Sequence, residues 1–156
     1  MNKSVHEKVV ELLDGRCFRL VEHAEAETSE EAARIRGSRL EQGAKALVLR
    51  SKGEYLLFVV SAARELDAKA LRAALKLKSL SFASAPEVEE KFGLLKGSVP
   101  PFGSVLGIRT IADNSLRAAN EGGEIVFNAG LRSKSIFIPF SLFEELEKPI
   151  WVDASM

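Results

Sequence analysis

Cysteine is almost missing from the 156-residue chain: Cys17 stands alone. No intramolecular disulfide can form and no cysteine-rich metal site exists, so a reducing compartment is expected. Histidine is nearly as scarce. His6 and His23 leave little material for a histidine-based metal site or a Ser/His/Asp triad. Also missing are a glycine-rich phosphate loop followed by Lys-Ser or Lys-Thr, a Gly-x-Ser-x-Gly elbow and a His-Glu-x-x-His pair. The opening MNKSVHEKVV lacks the apolar core of a signal peptide, and no apolar run approaches transmembrane length. The cytoplasm is therefore the expected location. Neither sign of charge is in excess, because 22 Lys and Arg balance 22 Asp and Glu. That balance argues against a nucleic-acid footprint spread over the whole surface and leaves a local basic patch open.

What is present is an ordinary globular composition, 46% apolar and 28% charged, at a length that suits one domain over residues 1–156. Helix starts are marked by Ser4 with Glu7, Thr28 with Glu31, Ser84 with Glu87 and Ser141 with Glu144, each spaced as a capping box. Gly15, Gly37 and Gly93 are the matching stops, and Pro149 ends the last helix. A further helix is expected from Leu66 to Leu77, with Leu71 and Leu75 inward, and a short one after Asp113. Strands are expected at 17–22, 44–49, 55–60, 80–83, 104–108, 124–127, 134–139 and 150–152. The second and third of these form a hairpin around residues 51–54. Strands and helices alternate without a strict βαβ rhythm. The expected fold is α+β: a mixed, barrel-like sheet with helices packed outside it.

Three segments carry residues that a bare scaffold does not require. Lys45 interrupts the apolar run Gly43-Ala44-Lys45-Ala46-Leu47-Val48-Leu49. Such a lysine either snorkels to solvent or sets an ammonium at a pocket mouth, to hold a phosphate or a developing oxyanion. The loop Gly97-Ser98-Val99-Pro100-Pro101-Phe102-Gly103 combines a stiff centre with permissive ends. It is either a rigid connector, with Phe102 a core plug, or a nest of backbone N–H groups for an anion or carbonyl oxygen. The third, Phe127-Asn128-Ala129-Gly130-Leu131-Arg132-Ser133-Lys134-Ser135-Ile136, reads as a turn between two strands with polar residues on both sides. His6 reads as a helix-surface residue, and His23 as a strand-end residue able to border a site.

Taken together with Thr28-Ser29-Glu30-Glu31-Ala32-Ala33, the order and spacing of these segments closely resemble the YbaK-like family of aminoacyl-tRNA editing domains, which includes prolyl-tRNA-synthetase-associated deacylases. The resemblance runs from about His23 to Ile138. It is most specific in the Gly-Ala-Lys-Ala strand and the Gly-Ser-Val-Pro-Pro-Phe-Gly loop. It implies hydrolysis of the ester between a small mischarged amino acid (alanine, cysteine, serine or threonine) and the terminal adenosine of tRNA, with no cofactor and no metal. It further implies that Lys45 and Gly97 act on the ester. The substrate would be bound by His23, by Ser98, Val99, Pro100, Pro101, Phe102 and Gly103, and by Asn128, Ala129, Gly130 and Ser135. Many relatives carry Gly-Arg-Arg-Gly after the turn and an acidic residue near the position of Ser135. Gly130-Leu131-Arg132-Ser133-Lys134-Ser135 departs from that pattern, which bears on amino-acid specificity.

Chemically, an aminoacyl ester is already activated, so a site needs chiefly to orient water and stabilise an oxyanion. No side-chain base stands out, and the resemblance implies help from the substrate's own ribose hydroxyl. The expected partners are mischarged tRNA at its acceptor end and an aminoacyl-tRNA synthetase, without membrane or DNA. Two basic clusters suit RNA phosphates: Arg34, Arg36 and Arg39 around one helix end, and Lys69, Arg72 and Lys76 on one face of another helix. Two other readings remain at this point. One is a non-catalytic binder of aminoacyl-adenosine-like ligands or of a synthetase on the same scaffold. The other is an enzyme acting on a different small ester.

Overall fold

The computed structural model describes residues 3–26 and 28–156. Helix α1 (Val5–Leu13) opens with the reciprocal Ser4–Glu7 box and buries Val9 and Leu13. Strand β1 (Arg19–Glu22) follows, and then α2 (Ser29–Arg36), whose Glu31 N–H donates to the Thr28 hydroxyl and which Gly37 closes in the left-handed region. A 3₁₀ turn at Leu40–Gln42 leads into β2 (Ala44–Ser51) and β3 (Glu54–Ser61), an antiparallel hairpin with Ala44 opposite Ser61. Its turn residues Lys52 and Gly53 both have positive φ, as the twist of a two-residue hairpin loop requires.

Next come α3 (Ala68–Leu75), β4 (Ser81–Phe82) and α4 (Ala85–Phe92) with its Ser84–Glu87 box. An irregular stretch then reaches α5 (Gly103–Leu106), β5 (Arg109–Asp113) and α6 (Asn114–Asn120). The hairpin of β6 (Glu124–Leu131) and β7 (Lys134–Pro139), α7 (Phe140–Glu147) and β8 (Ile150–Val152) complete the order.

The strands form two sheets rather than one barrel-like sheet. One is antiparallel in the order β1-β7-β6; the other runs β4-β2-β3-β5-β8, with β5 parallel to both β3 and β8. Among the described residues the sheets are joined by a single parallel bridge, Gly43 to Val126, and neither closes on itself. The expected barrel-like closure is corrected on that ground: the space between β2 and β6 holds a pocket in place of a closing ladder.

β3 is buried on both faces, and its side chains alternate between two cores as strand geometry dictates. Leu57 and Val59 pack in the larger core with Val48, Phe102, Phe127 and Phe143. Leu56, Phe58 and Val60 pack in the smaller one, under α3, with Leu49 and Leu71.

Several expected elements differ, among them β6, which runs on to Leu131, with a register shift between Asn128 and Leu131, through residues expected as a turn. Residues 104–108 are mostly helical, and the strand starts at Arg109; the short run Val105-Leu106-Gly107-Ile108 is too brief for periodicity to separate the two states. α7 starts at Phe140 after Pro139, so Ser141 lies inside it and caps nothing. α3 is shorter than expected, since Leu66 bridges to Ser155 and Lys76 ends the helix in the left-handed region. No helix among the described residues is long and apolar enough to cross a membrane.

Candidate active site

A cavity of about 460 Å³ opens between the inner edge of β2, helix α2, the segment Lys96–Val99 and the turn end of the β6–β7 hairpin. Small residues form much of its wall: Ala32, Gly43, Ala44, Ala46 and Ala62. The exposed edge of β2 follows from its pairing. The Val48 carbonyl accepts from Ala83 N–H on the side away from β3. Two residues earlier Ala46 must turn its own N–H and C=O the same way, and no described strand pairs with it there. The charged residues on the wall are Arg36, Lys45, Lys96 and Arg132, with no carboxylate among the described lining residues. A chain of zero net charge thus gathers cations around this cavity.

Lys45 lies opposite Val60 in the hairpin, and its side chain is largely covered. Its Nζ donates to the Arg64 carbonyl at 2.8 Å and stands 3.6 Å from Glu65 Oε1. An ammonium has three donors, so this tether holds the group at the mouth and leaves capacity for a ligand oxygen.

The segment after α4 is held by the hairpin through three successive carbonyls. Arg132 Nε donates to the Lys96 carbonyl at 2.6 Å, Asn128 Nδ2 to that of Gly97, and Gly130 N–H to that of Ser98 at 3.0 Å. In a trans peptide the C=O and the following N–H point in opposite directions, so the N–H groups of Gly97 and Val99 turn away from the hairpin. Ser98 N–H is taken by the Leu95 carbonyl. Gly97 adopts φ +85°, a conformation open to glycine at little cost, and both Gly97 and Val99 line the cavity. This is the geometry of a small backbone nest.

At the inner end lies a polar network. His23 Nε2 is 2.7 Å from the Oγ of fully buried Ser135, which is 3.1 Å from Asn128 Oδ1. His23 Nδ1 lies 2.7 Å from the Ala24 carbonyl, and the single proton of the Ser135 hydroxyl goes to Asn128 Oδ1. Arg36 Nη1 donates to Ser135 Oγ at 3.2 Å and to Asn128 Oδ1 at 3.4 Å, and Nε donates to Ser38 Oγ at 3.3 Å. Burial lowers the Arg36 guanidinium to about 10, so it stays charged near neutrality in a desolvated setting.

Lys45, Gly97, Val99 and Asn128 therefore line one cavity, and His23 and Ser135 sit just behind Asn128. The other expected contacts do not line the cavity. Ser98, Pro100, Pro101, Phe102 and Gly103 are buried behind it, with Phe102 edge-on to Phe127 and Phe143 in the main core. Ala129 is buried, its carbonyl bonded by His6 Nδ1 at 2.7 Å. Gly130 backs onto α1, where a Cβ would stand 2.8 Å from His6 N. His6 is thus a packing contact rather than a surface residue. Arg34 and Arg39 are exposed, whereas Arg36, expected among the RNA contacts, turns inward to the cavity. Lys69, Arg72 and Lys76 are exposed on and beyond α3, away from the cavity wall. Thr28, Ser29, Lys96 and Arg132 also line it, and none of them is among the expected substrate contacts.

Residues 23–145 match the family model of the aminoacyl-tRNA editing domain. The chain belongs to that family. Over 150 residues this editing domain is 33% identical to the multifunctional Ser/Thr-tRNA deacylase ProXp-y of Escherichia coli (strain K12), covering 92% of the chain and 89% of that relative. It is 25% identical over 134 residues to the proline–tRNA ligase of Thermosipho melanesiensis, covering 86% of the chain and 23% of the ligase. A solved structure provisionally described as a trans-editing enzyme for prolyl tRNA synthetase superposes with a TM-score of 0.83 at 23% identity, over 100% of this chain and 99% of that one. At that identity the likeness speaks for the fold.

Proposed function

We propose that this editing domain hydrolyses the ester bond of tRNA mischarged with a small amino acid. The observation that carries the reading is the convergence of a tethered lysine and a carbonyl-anchored backbone nest on one cation-lined cavity. In this reading the aminoacyl ester enters along the open edge of β2. Water attacks the ester carbonyl, and the N–H groups of Gly97 and Val99 face the developing oxyanion. The ammonium of Lys45 holds the terminal ribose or its phosphate. The bond to the ribose oxygen then breaks, the ribose takes the proton, and free amino acid and uncharged tRNA leave. The ribose hydroxyl beside the ester assists the water, since the described cavity wall offers no carboxylate base.

Small residues on the wall favour small substrates, and among alanine, cysteine, serine and threonine the activity for which ProXp-y is named supports serine and threonine. A cavity of this chemistry serves as a second sieve where one methylene separates competitors only ~10–200-fold at a first site. The relation to part of a proline–tRNA ligase supports a synthetase partner, and the reaction places the protein where tRNA is charged.

The test is release of amino acid from Ala-, Cys-, Ser- and Thr-tRNA, with correctly charged tRNA as control. Release from a mischarged tRNA with the control spared is the expected result. Absence of release from all four, with binding retained, would make the domain a binder.

A further inference from the structure

Arg36 is the residue whose placement the proposed hydrolysis leaves unexplained. It lines the cavity together with Ala32, Gly43, Ala44, Ala62 and its hydrogen-bond partner Asn128, and no carboxylate among the described residues pairs with it. Its hydrogen bonds through Nη1 and Nε go to uncharged partners: Asn128, Ser135 and Ser38. Nη2 has no acceptor among the described residues.

The protein also makes room for that nitrogen. A Cβ on Gly43 would lie 3.1 Å from Arg36 Nη2 and 3.0 Å from Ala62 Cβ, so a side chain there would crowd both. Gly43 itself has an ordinary negative φ. The neighbouring groups are largely committed. Asn128 gives one amide N–H to the Gly97 carbonyl and its oxygen accepts from Arg36 and Ser135, and Ser135 is enclosed by His23, Asn128 and Arg36. The uncommitted donors at this end of the cavity thus include the two N–H bonds of Nη2, the charged ones, beside the second amide N–H of Asn128.

We propose that Arg36 is the specificity determinant of this site: its Nη2 donates to the side-chain oxygen of the bound amino acid, so that hydroxyl-bearing aminoacyl groups are preferred to alanyl or cysteinyl ones. This rests on the deacylase reading and goes beyond it by assigning the selection to one residue. The small walls set the upper size limit, and the guanidinium adds a requirement for an acceptor. An alanyl group of suitable size leaves the Nη2 N–H pair without a partner once it displaces water, and a thiol is a poor acceptor. A phosphate is the other oxygen that a guanidinium binds well. A tRNA phosphate is common to every aminoacyl form, which lets one experiment separate the two sources.

A single tRNA body is charged in turn with serine, threonine and alanine, and kcat/KM for deacylation is measured for the wild type, Arg36→Met and Arg36→Gln. Arg36→Met retains the length of the stem without the donors. The expected result is a fall of about 10–100-fold on seryl and threonyl substrates, the size of one charge-assisted hydrogen bond, with alanyl turnover changed less than about 3-fold. Arg36→Gln keeps a shorter amide donor, and a smaller loss of the same selectivity is expected. It also carries the test if the Met variant does not fold. An equal fall on all three substrates would overturn the assignment and give the guanidinium to the phosphate or the ribose. An unchanged preference would overturn it as well. A wild type that releases none of the three refutes the deacylase reading itself, a result distinct from lost selectivity.

Discussion

The two halves of the segment that joins α4 to α5 differ in what holds them and in what they face. Lys96, Gly97 and Val99 look into the cavity, and the carbonyls of Lys96 and Gly97 tie this half to the β6–β7 hairpin. Pro100, Pro101, Phe102 and Gly103 are buried and tied to the core and to β5. Gly103 N–H donates to Thr110 Oγ1 at 2.9 Å, and that hydroxyl donates to Glu147 Oε1 at 2.8 Å, which locks α5 against β5 and α7. One short motif therefore contains a presenting half and an anchoring half. The two glycines at its ends are needed for different reasons, one for a dihedral angle and the other for space.

Crowding the anchor should have the largest effect. A Cβ at Gly103 would meet Thr110 Oγ1 at 2.4 Å and the Ile108 carbonyl at 2.5 Å. Gly103→Val is expected to prevent folding or to cost more than about 4 kcal/mol, read as lost soluble protein or a collapsed melting transition. Phe102→Ala should cost about 3–5 kcal/mol in denaturant unfolding, yet leave turnover per folded molecule close to normal, because the ring fills core and touches no substrate. A large loss of turnover at full stability would move Phe102 into the site.

Gly97→Val probes the other half. A Cβ there would find its nearest neighbour, Arg132 Nε, at 4.0 Å, so the cost is dihedral, about 1–2 kcal/mol for a left-handed non-glycine residue. Turnover should fall by more, on the order of 10–100-fold, because the nest N–H groups shift. Full activity in that variant would reduce the presenting half to a connector.

The smallest effect concerns RNA. Neutralising Lys69, Arg72 and Lys76 together should raise KM for tRNA a few-fold and flatten its salt dependence, with the rate at saturating tRNA unchanged. Unchanged affinity and salt slope would leave docking to the cavity's own cations.

Much of this organisation was legible in residue order, and what was not has physical causes. The caps at Ser4 and Ser84, the left-handed Gly37 and Gly93 and the β2–β3 hairpin all depend on contacts within a few residues, and they form as expected. Ser141 with Glu144 has the same spacing, but Pro139 presets the chain direction and Phe140, buried in the core, starts the helix a residue before Ser141. Sheet closure depends on contacts distant in sequence, and among the described residues only the single bridge at Gly43 joins the two sheets, with no ladder to close them. At the site, the positions of Lys45, Gly97 and Asn128 were legible through their motifs. Arg36 and Arg132 were not: an arginine near a helix end or in a turn looks like any solvated charge until the fold turns one inward to Ser135 and hooks the other to the Lys96 carbonyl.

The most direct test is Lys45→Ala, assayed by single-turnover release of amino acid from the best mischarged tRNA. Circular dichroism and melting would be measured on the same sample. Lys45 makes one backbone hydrogen bond and one long ion pair with an exposed glutamate, so its removal should leave the fold intact. A rate lower by ~10²–10³ with melting nearly unchanged is expected if the ammonium holds the substrate at the cavity mouth. A folded variant that releases amino acid at the wild-type rate would contradict that role and place the chemistry elsewhere.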